Sequence, residues 1–133
     1  MQKTYPKKRL GQNFLMDKNI ARKIVRTMDV PKPIFLIEIG PGRGVLTEFI
    51  LKDVDKYLGI EIDSSLIELL QDRFSEQTNF SLIQQDFLEF DLEKTLKKFS
   101  DHSKIILGIY PIISLRQFYS SYMIVPIFWI KRF

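Results

Sequence analysis

The chain has no cysteine and only one histidine in 133 residues. The first absence excludes disulfides and thiolate metal sites, and suits a reducing compartment such as the cytoplasm. The second leaves a transition metal without imidazole ligands, so no metal is expected. Long apolar runs are missing as well. The N-terminal lysines have no apolar stretch behind them, unlike a secretory signal. Phe118–Ile130 is thirteen residues interrupted by Pro126, short of the roughly twenty a membrane helix needs. No membrane partner is expected. There is no internal repeat, and the length bounds the chain to one domain at most.

Charge is unevenly spread. Residues 1–32 hold nine Lys and Arg against Asp17 and Asp29, a balance of +7 within a formal total of +4. A basic arm on a mildly acidic body suits a polyanionic partner, although a solvated helix face reads the same way.

Glycine is scarce, but three of the six stand at alternate positions in Leu36-Ile37-Glu38-Ile39-Gly40-Pro41-Gly42-Arg43-Gly44-Val45-Leu46-Thr47. An apolar strand breaks there into a sharp turn, where a ligand can lie against bare backbone. A dinucleotide turn wants a glycine three residues after Gly42, where this chain has Val45. That disfavours an NAD-binding oxidoreductase. The G-x-G-x-G spacing resembles the first motif of Rossmann-like methyltransferases, whose ligand is S-adenosylmethionine. The bland alternative is a tight turn that binds nothing.

Periodicity predicts helices over 17–28, 45–53, 63–75 and 92–99, and strands over 34–39, 56–61, 80–84 and 104–108. Asp17 and Asp63 or Ser64 are the expected caps, and Leu66, Leu69, Leu70 and Phe74 the inward face of the third helix. Such alternation means a parallel sheet of about four strands with flanking helices, an α/β fold. Glu61 then ends the second strand and Asp86 follows the third, at one edge with the glycine turn. Glu61 could accept from ribose hydroxyls and Asp86 from an exocyclic amine; each alone is more often a solvated loop or cap residue, but with the glycine turn they form a set. His102, in a polar turn, is expected to be solvated.

With those residues in view, the chain resembles the small-subunit ribosomal RNA adenine N6,N6-dimethyltransferases. The resemblance opens on Lys8-Arg9-Leu10-Gly11-Gln12-Asn13-Phe14-Leu15 and runs from about residue 7 to Gly108. Macrolide-resistance methyltransferases of the large subunit share part of that opening. The resemblance implies the N-terminal half of a class I S-adenosylmethionine-dependent fold over 1–108. Asn13 and Leu15 would close over the cofactor, and Gly40, Glu61 and Asp86 would hold its methionine end, ribose and adenine, with Gly42 in the same turn. Lys7, Lys8 and Arg9 could hold phosphates; a solubilising arm is the alternative. The implied activity is dimethylation of two adjacent adenines near the 3′ end of small-subunit rRNA, in pre-ribosomal particles, by a cytoplasmic monomer.

The pattern then breaks. The family's N-L-P-Y motif, whose Asn and aromatic ring position the target adenine, is replaced by Ile109-Tyr110-Pro111-Ile112. Ile109 and Ile112 offer neither a hydrogen-bond acceptor nor a π-face, and only Pro111 matches. A single lost base would account for this; a diverged paralogue with a repurposed pocket is the alternative. Ile109 to Ile112 can be written ATT TAC CCT ATA, and one A restored in front gives AAT TTA CCC TAT, which encodes N-L-P-Y. Continued through Ile124, the same shift reads N-L-P-Y-N-I-S-S-P-I-L-F-K-L-Y-D. Residues 109–133 are therefore expected to be an aberrant tail, on a truncated chain without the family's C-terminal helical domain. A non-catalytic cofactor- or RNA-binding remnant, or a decayed gene product, are the alternatives to an enzyme.

Overall fold

The computed structural model describes residues 17–108 and 131–132. In chain order these form α1 (Lys18–Arg26), β1 (Ile34–Ile39), α2 (Val45–Ile50), β2 (Lys56–Glu61), α3 (Ser64–Arg73) and β3 (Phe80–Gln84). A 3-10 turn (Phe87–Glu89), α4 (Leu92–Lys97), β4 (Ser103–Gly108) and β5 (Lys131–Arg132) follow. The sheet order is β3-β2-β1-β4-β5. The first four strands run parallel, with Ile37 opposite Leu58 on β2 and opposite Ile106 on β4. β1 lies at the centre with every residue buried, which is why it reads as an apolar run broken only by Glu38.

Period-two alternation sends side chains to the two faces of the sheet. Leu36, Tyr57, Ile105 and Leu107 pack with Ala21, Ile24 and Val25 of α1, Leu46 and Ile50 of α2, and Leu70 of α3. Phe35, Ile37, Leu58 and Ile60 face the other way, against Phe87 and Leu92. There the Phe35 and Phe99 rings stack with centroids 3.9 Å apart. Asp55 pins the start of β1: its Oδ2 accepts from the Ile34 N–H at 2.8 Å, while its own N–H donates to the Ile34 carbonyl.

Several expectations are adjusted. α2 is shorter than predicted and ends in a turn that Asn79 secures, donating to the Leu51 and Val54 carbonyls at 2.9 Å each. On α3 the buried residues are Ile67, Leu70 and the adjoining Phe74, whereas Leu69 is 39% exposed. The helix starts at Ser64, capped by Asp63, and a 3.6-residue period from Ile67 passes through Leu70 and Phe74 but turns Leu69 outward. His102 is not simply solvated: its Nδ1 lies 2.8 Å from Asp101 Oδ1 and its ring meets Phe99 edge-on. Periodicity cannot announce β5, which pairs antiparallel with Ile105 and Ile106 of β4.

Gly44 joins the turn to the core. Its φ is +82°, and a Cβ there would come within 2.7 Å of the Phe74 ring and 2.9 Å of Leu70 Cδ2. Both neighbours are buried. Gly44→Ala is expected to cost about 2–4 kcal/mol, from left-handed backbone plus overpacking. A lowered urea midpoint with unchanged m-value checks it.

Candidate functional site

The parallel strands β1, β2 and β3 all end at one edge, and their C-terminal loops bring Gly40, Glu61 and Asp86 together. These three line one shallow cleft, open to solvent, with Ile62 and Phe87 among the remaining walls. A carboxyl edge of this kind is where open α/β sheets hold ligands.

Gly40 and Gly42 have φ of +66° and +60°, and a Cβ on either would meet nothing within 4 Å. Packing therefore does not demand glycine at these two positions. Their backbone conformation does, and it leaves bare backbone facing open space. The three glycines thus divide their work: two keep a surface bare, and Gly44 lets α3 approach. The turn is gripped from behind by Arg73, which donates to the Arg43 carbonyl at 2.6 Å and to Glu48 at 2.8 Å.

Glu61 is 4% exposed. Its Oε2 accepts from the Gly42 N–H at 3.2 Å, and its Oε1 from the N–H groups of Ile62 and Asp63 at 3.0 and 3.1 Å. A carboxylate has about four lone-pair sites; the described N–H groups engage three and leave capacity for one more donor. Glu61 therefore ties the turn to the end of β2 as well as facing the cleft. Asp86 caps the 3-10 turn, Oδ1 accepting from the Leu88 N–H at 3.0 Å. Ile62 and Leu88, which follow the two acids, are 46% and 43% exposed, so apolar surface flanks them.

Beneath the turn lies a group that sequence reasoning did not single out. Glu38 is 2% exposed in the middle of the sheet. Its Oε2 accepts from Thr47 Oγ1 and from the Tyr57 hydroxyl, both at 2.7 Å, and those two oxygens lie 3.3 Å apart. Burial pushes the Glu38 carboxyl up to about 7, partly opposed by the two hydroxyls and reinforced by the Glu61 charge. Burial and the neighbouring Glu38 charge likewise push Tyr57 well above 10. The signal was an acid inside the apolar run Leu36-Ile37-Glu38-Ile39.

The description "ribosomal RNA adenine dimethylase" is that of the family matching residues 4–114. The chain belongs to the ribosomal RNA adenine dimethylase family. Among its relatives, "Ribosomal RNA small subunit methyltransferase A" of Sulfurihydrogenibium sp. (strain YO3AOP1) is 46% identical over 108 residues, covering 80% of this chain and 41% of the relative. The protein of the same name from Streptococcus thermophilus (strain ATCC BAA-491 / LMD-9) is 42% identical over 95 residues, covering 71% and 33%. The chain thus spans less than half the length of these curated relatives.

Two solved structures share the fold. The 23S rRNA methyltransferase ErmE aligns with a TM-score of 0.53 at 17% identity, over 80% of this chain and 51% of its own. A dimethyladenosine transferase from Plasmodium falciparum aligns with a TM-score of 0.54 at 19% identity, over 75% and 44%. Of the positions the dimethylase resemblance implies, Gly40, Glu61 and Asp86 meet at one cleft, with Gly42 bonded to Glu61. Asn13, Leu15, Lys7, Lys8, Arg9, Ile109, Pro111 and Ile112 lie outside the described residues. The described residues contain neither a group of three possible metal ligands nor a helix long and apolar enough to cross a membrane.

Proposed function

We propose that residues 1–108 are the S-adenosylmethionine-binding part of an rRNA adenine N6,N6-dimethyltransferase, and that this chain binds the methyl donor without efficient turnover. The observation that carries the first half is the bare backbone at Gly40 and Gly42 beside Glu61 and Asp86, in a member of this family. The donor carries an electrophilic methyl group on a sulfonium. Gly40 and Gly42 would lie against its methionine end, and the open lone pair of Glu61 would accept from a ribose hydroxyl. Asp86 would accept from the adenine amine, with Ile62 and Phe87 as apolar walls. Asn13 and Leu15 would close over it. None of these interactions needs a strong base or a metal; binding here is positioning.

The second half rests on Ile109 and Ile112. In-line transfer to an adenine needs its N6 lone pair turned toward the methyl group, which takes an acceptor for the amine hydrogens and a surface on which the ring can stack. Two branched hydrocarbons supply neither, so residues 109–133 are read as an aberrant tail. Lys7, Lys8 and Arg9 would contact phosphates of small-subunit rRNA in a pre-ribosomal particle, and the protein would act as a cytoplasmic monomer.

Calorimetric titration with S-adenosylmethionine tests the donor site. Saturable binding is expected, weakened at least about tenfold by Glu61→Ala, which removes a charged acceptor worth about 1.5–3 kcal/mol and unties Gly42. Equal binding by both proteins, or none by either, contradicts the assignment.

A further inference from the structure

α1 presents an unusual outer face. Ala21, Ile24 and Val25 are buried against the sheet, whereas Lys18, Arg22, Lys23 and Arg26 are exposed. Lys18, Arg22 and Arg26 follow one another at spacings of four, so like charges are stacked along one stripe. That arrangement weakens a helix by a few tenths of a kcal/mol per pair. Neighbouring acids usually relieve such a stripe, but here none does. All sixteen Asp and Glu of the chain lie between Asp17 and Asp101, so neither residues 1–16 nor 109–133 can supply an acidic side chain. Among the described residues the ion pairs are Arg73–Glu48 and His102–Asp101. Asp17, just before the helix, accepts from the Asn19 N–H instead. The stripe also continues onto the next helix. The Arg22 guanidinium stands 5.3 Å from the Phe49 ring centroid and Lys52 Nζ 5.4 Å from the same centroid, two cations gathered on one ring.

We infer that Lys18, Arg22, Lys23 and Arg26 of α1, with Lys52 beyond α2, form a surface that docks the phosphate backbone of RNA. Four uncompensated cations at helical spacing meet a polyanion whose charges repeat, with no need to read its bases. Phe49 holds Arg22 and Lys52 beside each other, so less freedom is lost when a phosphate arrives. The cleft for the methyl donor belongs to the carboxyl ends of the strands. The Lys52 end of this surface lies beyond the C-terminus of α2, the end away from the glycine turn. Donor and polynucleotide would therefore bind without competing. RNA, rather than another polyanion, rests on the function proposed above; the unpaired stripe does not.

The test measures anisotropy of a fluorescein-labelled RNA hairpin with the full chain, without methyl donor, across a salt series. The triple substitution Arg22→Gln, Lys23→Gln, Arg26→Gln keeps good helix formers. It is expected to weaken binding at least tenfold at ~50 mM salt and to flatten the plot of log K against log salt by about 2, at roughly 0.7 for each phosphate no longer neutralised. The control removes Lys94, Lys97 and Lys98, exposed on or beside α4, which packs on the opposite face of the sheet; it should change affinity less than twofold. Equal losses in the two variants, or an unchanged slope, overturn the inference. So does equally α1-dependent binding to phosphatidylserine vesicles, which would assign the surface to lipid. Should the triple variant not fold by circular dichroism, Lys23→Gln alone must still lower the slope by about 0.7, and no change there overturns it. Donor titration of the same variants separates this outcome from failure of the donor site, since α1 takes no part in the cleft.

Discussion

Inserting one adenine ahead of codon 109 is expected to raise adenine methylation by at least about 10³-fold over the present chain. With the codons written above, the restored frame would convert Ile109-Tyr110-Pro111-Ile112 into N-L-P-Y and continue S-S-P-I-L-F-K-L-Y-D two residues later. Codon degeneracy allows choice almost only at third positions, so a coherent motif in the shifted frame is not easily produced by accident. The physical effect lies in the acceptor. An amide oxygen and an aromatic ring return where two aliphatic side chains stand, and the N6 lone pair can be aimed instead of lost into the ring. Methyl transfer to undermethylated small subunits, assayed with both genes, measures the effect. Sequencing of the locus checks the premise. A genomic frame that runs undisturbed through codon 109, together with robust dimethylation by the present chain, would remove both the cause and the consequence.

Glu38→Gln is expected to make stability almost independent of pH between about 4.5 and 7, where the parent protein loses about 3 kcal/mol. The sign follows from proton counting. Burial holds the Glu38 carboxyl near 7, above its ordinary 4.5, so in that interval the folded chain keeps a proton that the unfolded chain has released. Stability therefore falls as pH rises through the window and levels off above it. The buried glutamate costs nothing extra at pH 4 and its full penalty at pH 8. Glutamine still offers Thr47 and Tyr57 an acceptor but cannot ionise. Paired urea melts at the two pH values give the comparison, and the substituted protein should be the more stable at pH 8. Matching pH profiles for the two proteins would mean that Glu38 ionises freely, and would refute the account of its burial.

The Glu38 network also bears on the binding edge. Thr47 is on α2, just after the glycine turn, and Tyr57 is on β2, four residues before Glu61. One carboxyl thus joins the three elements whose ends carry Gly40, Gly42 and Glu61. Arg73 holds the same turn through the Arg43 carbonyl.

The strand limits 34–39, 56–61 and 80–84 were legible in the sequence, because parallel strands read as short apolar runs between turn residues, in buried β1 and in the half-exposed edge strand β3 alike. The caps Asp17 and Asp63 were legible for the same local reason: a carboxylate two residues ahead of a free N–H needs no distant partner. The family, too, could be read from contiguous residues, Lys8 to Leu15 and the glycine turn, inside the matched span. Other features depend on packing across the sheet. Whether a glycine serves the ligand or the core is such a case: Gly42 and Gly44 are two residues apart, yet only Gly44 meets Phe74. Leu69 and Ile67 differ only in which side of α3 the sheet covers. The charge state of Glu38 depends on how completely β2, β4 and α2 exclude water, and the isolation of the α1 cations on where every carboxylate came to rest. Sequence by itself determined the four helices and four parallel strands, their order and the residues able to meet a nucleoside. Tertiary structure alone decided burial, because desolvation and pairing arise only when segments distant in the chain are brought together.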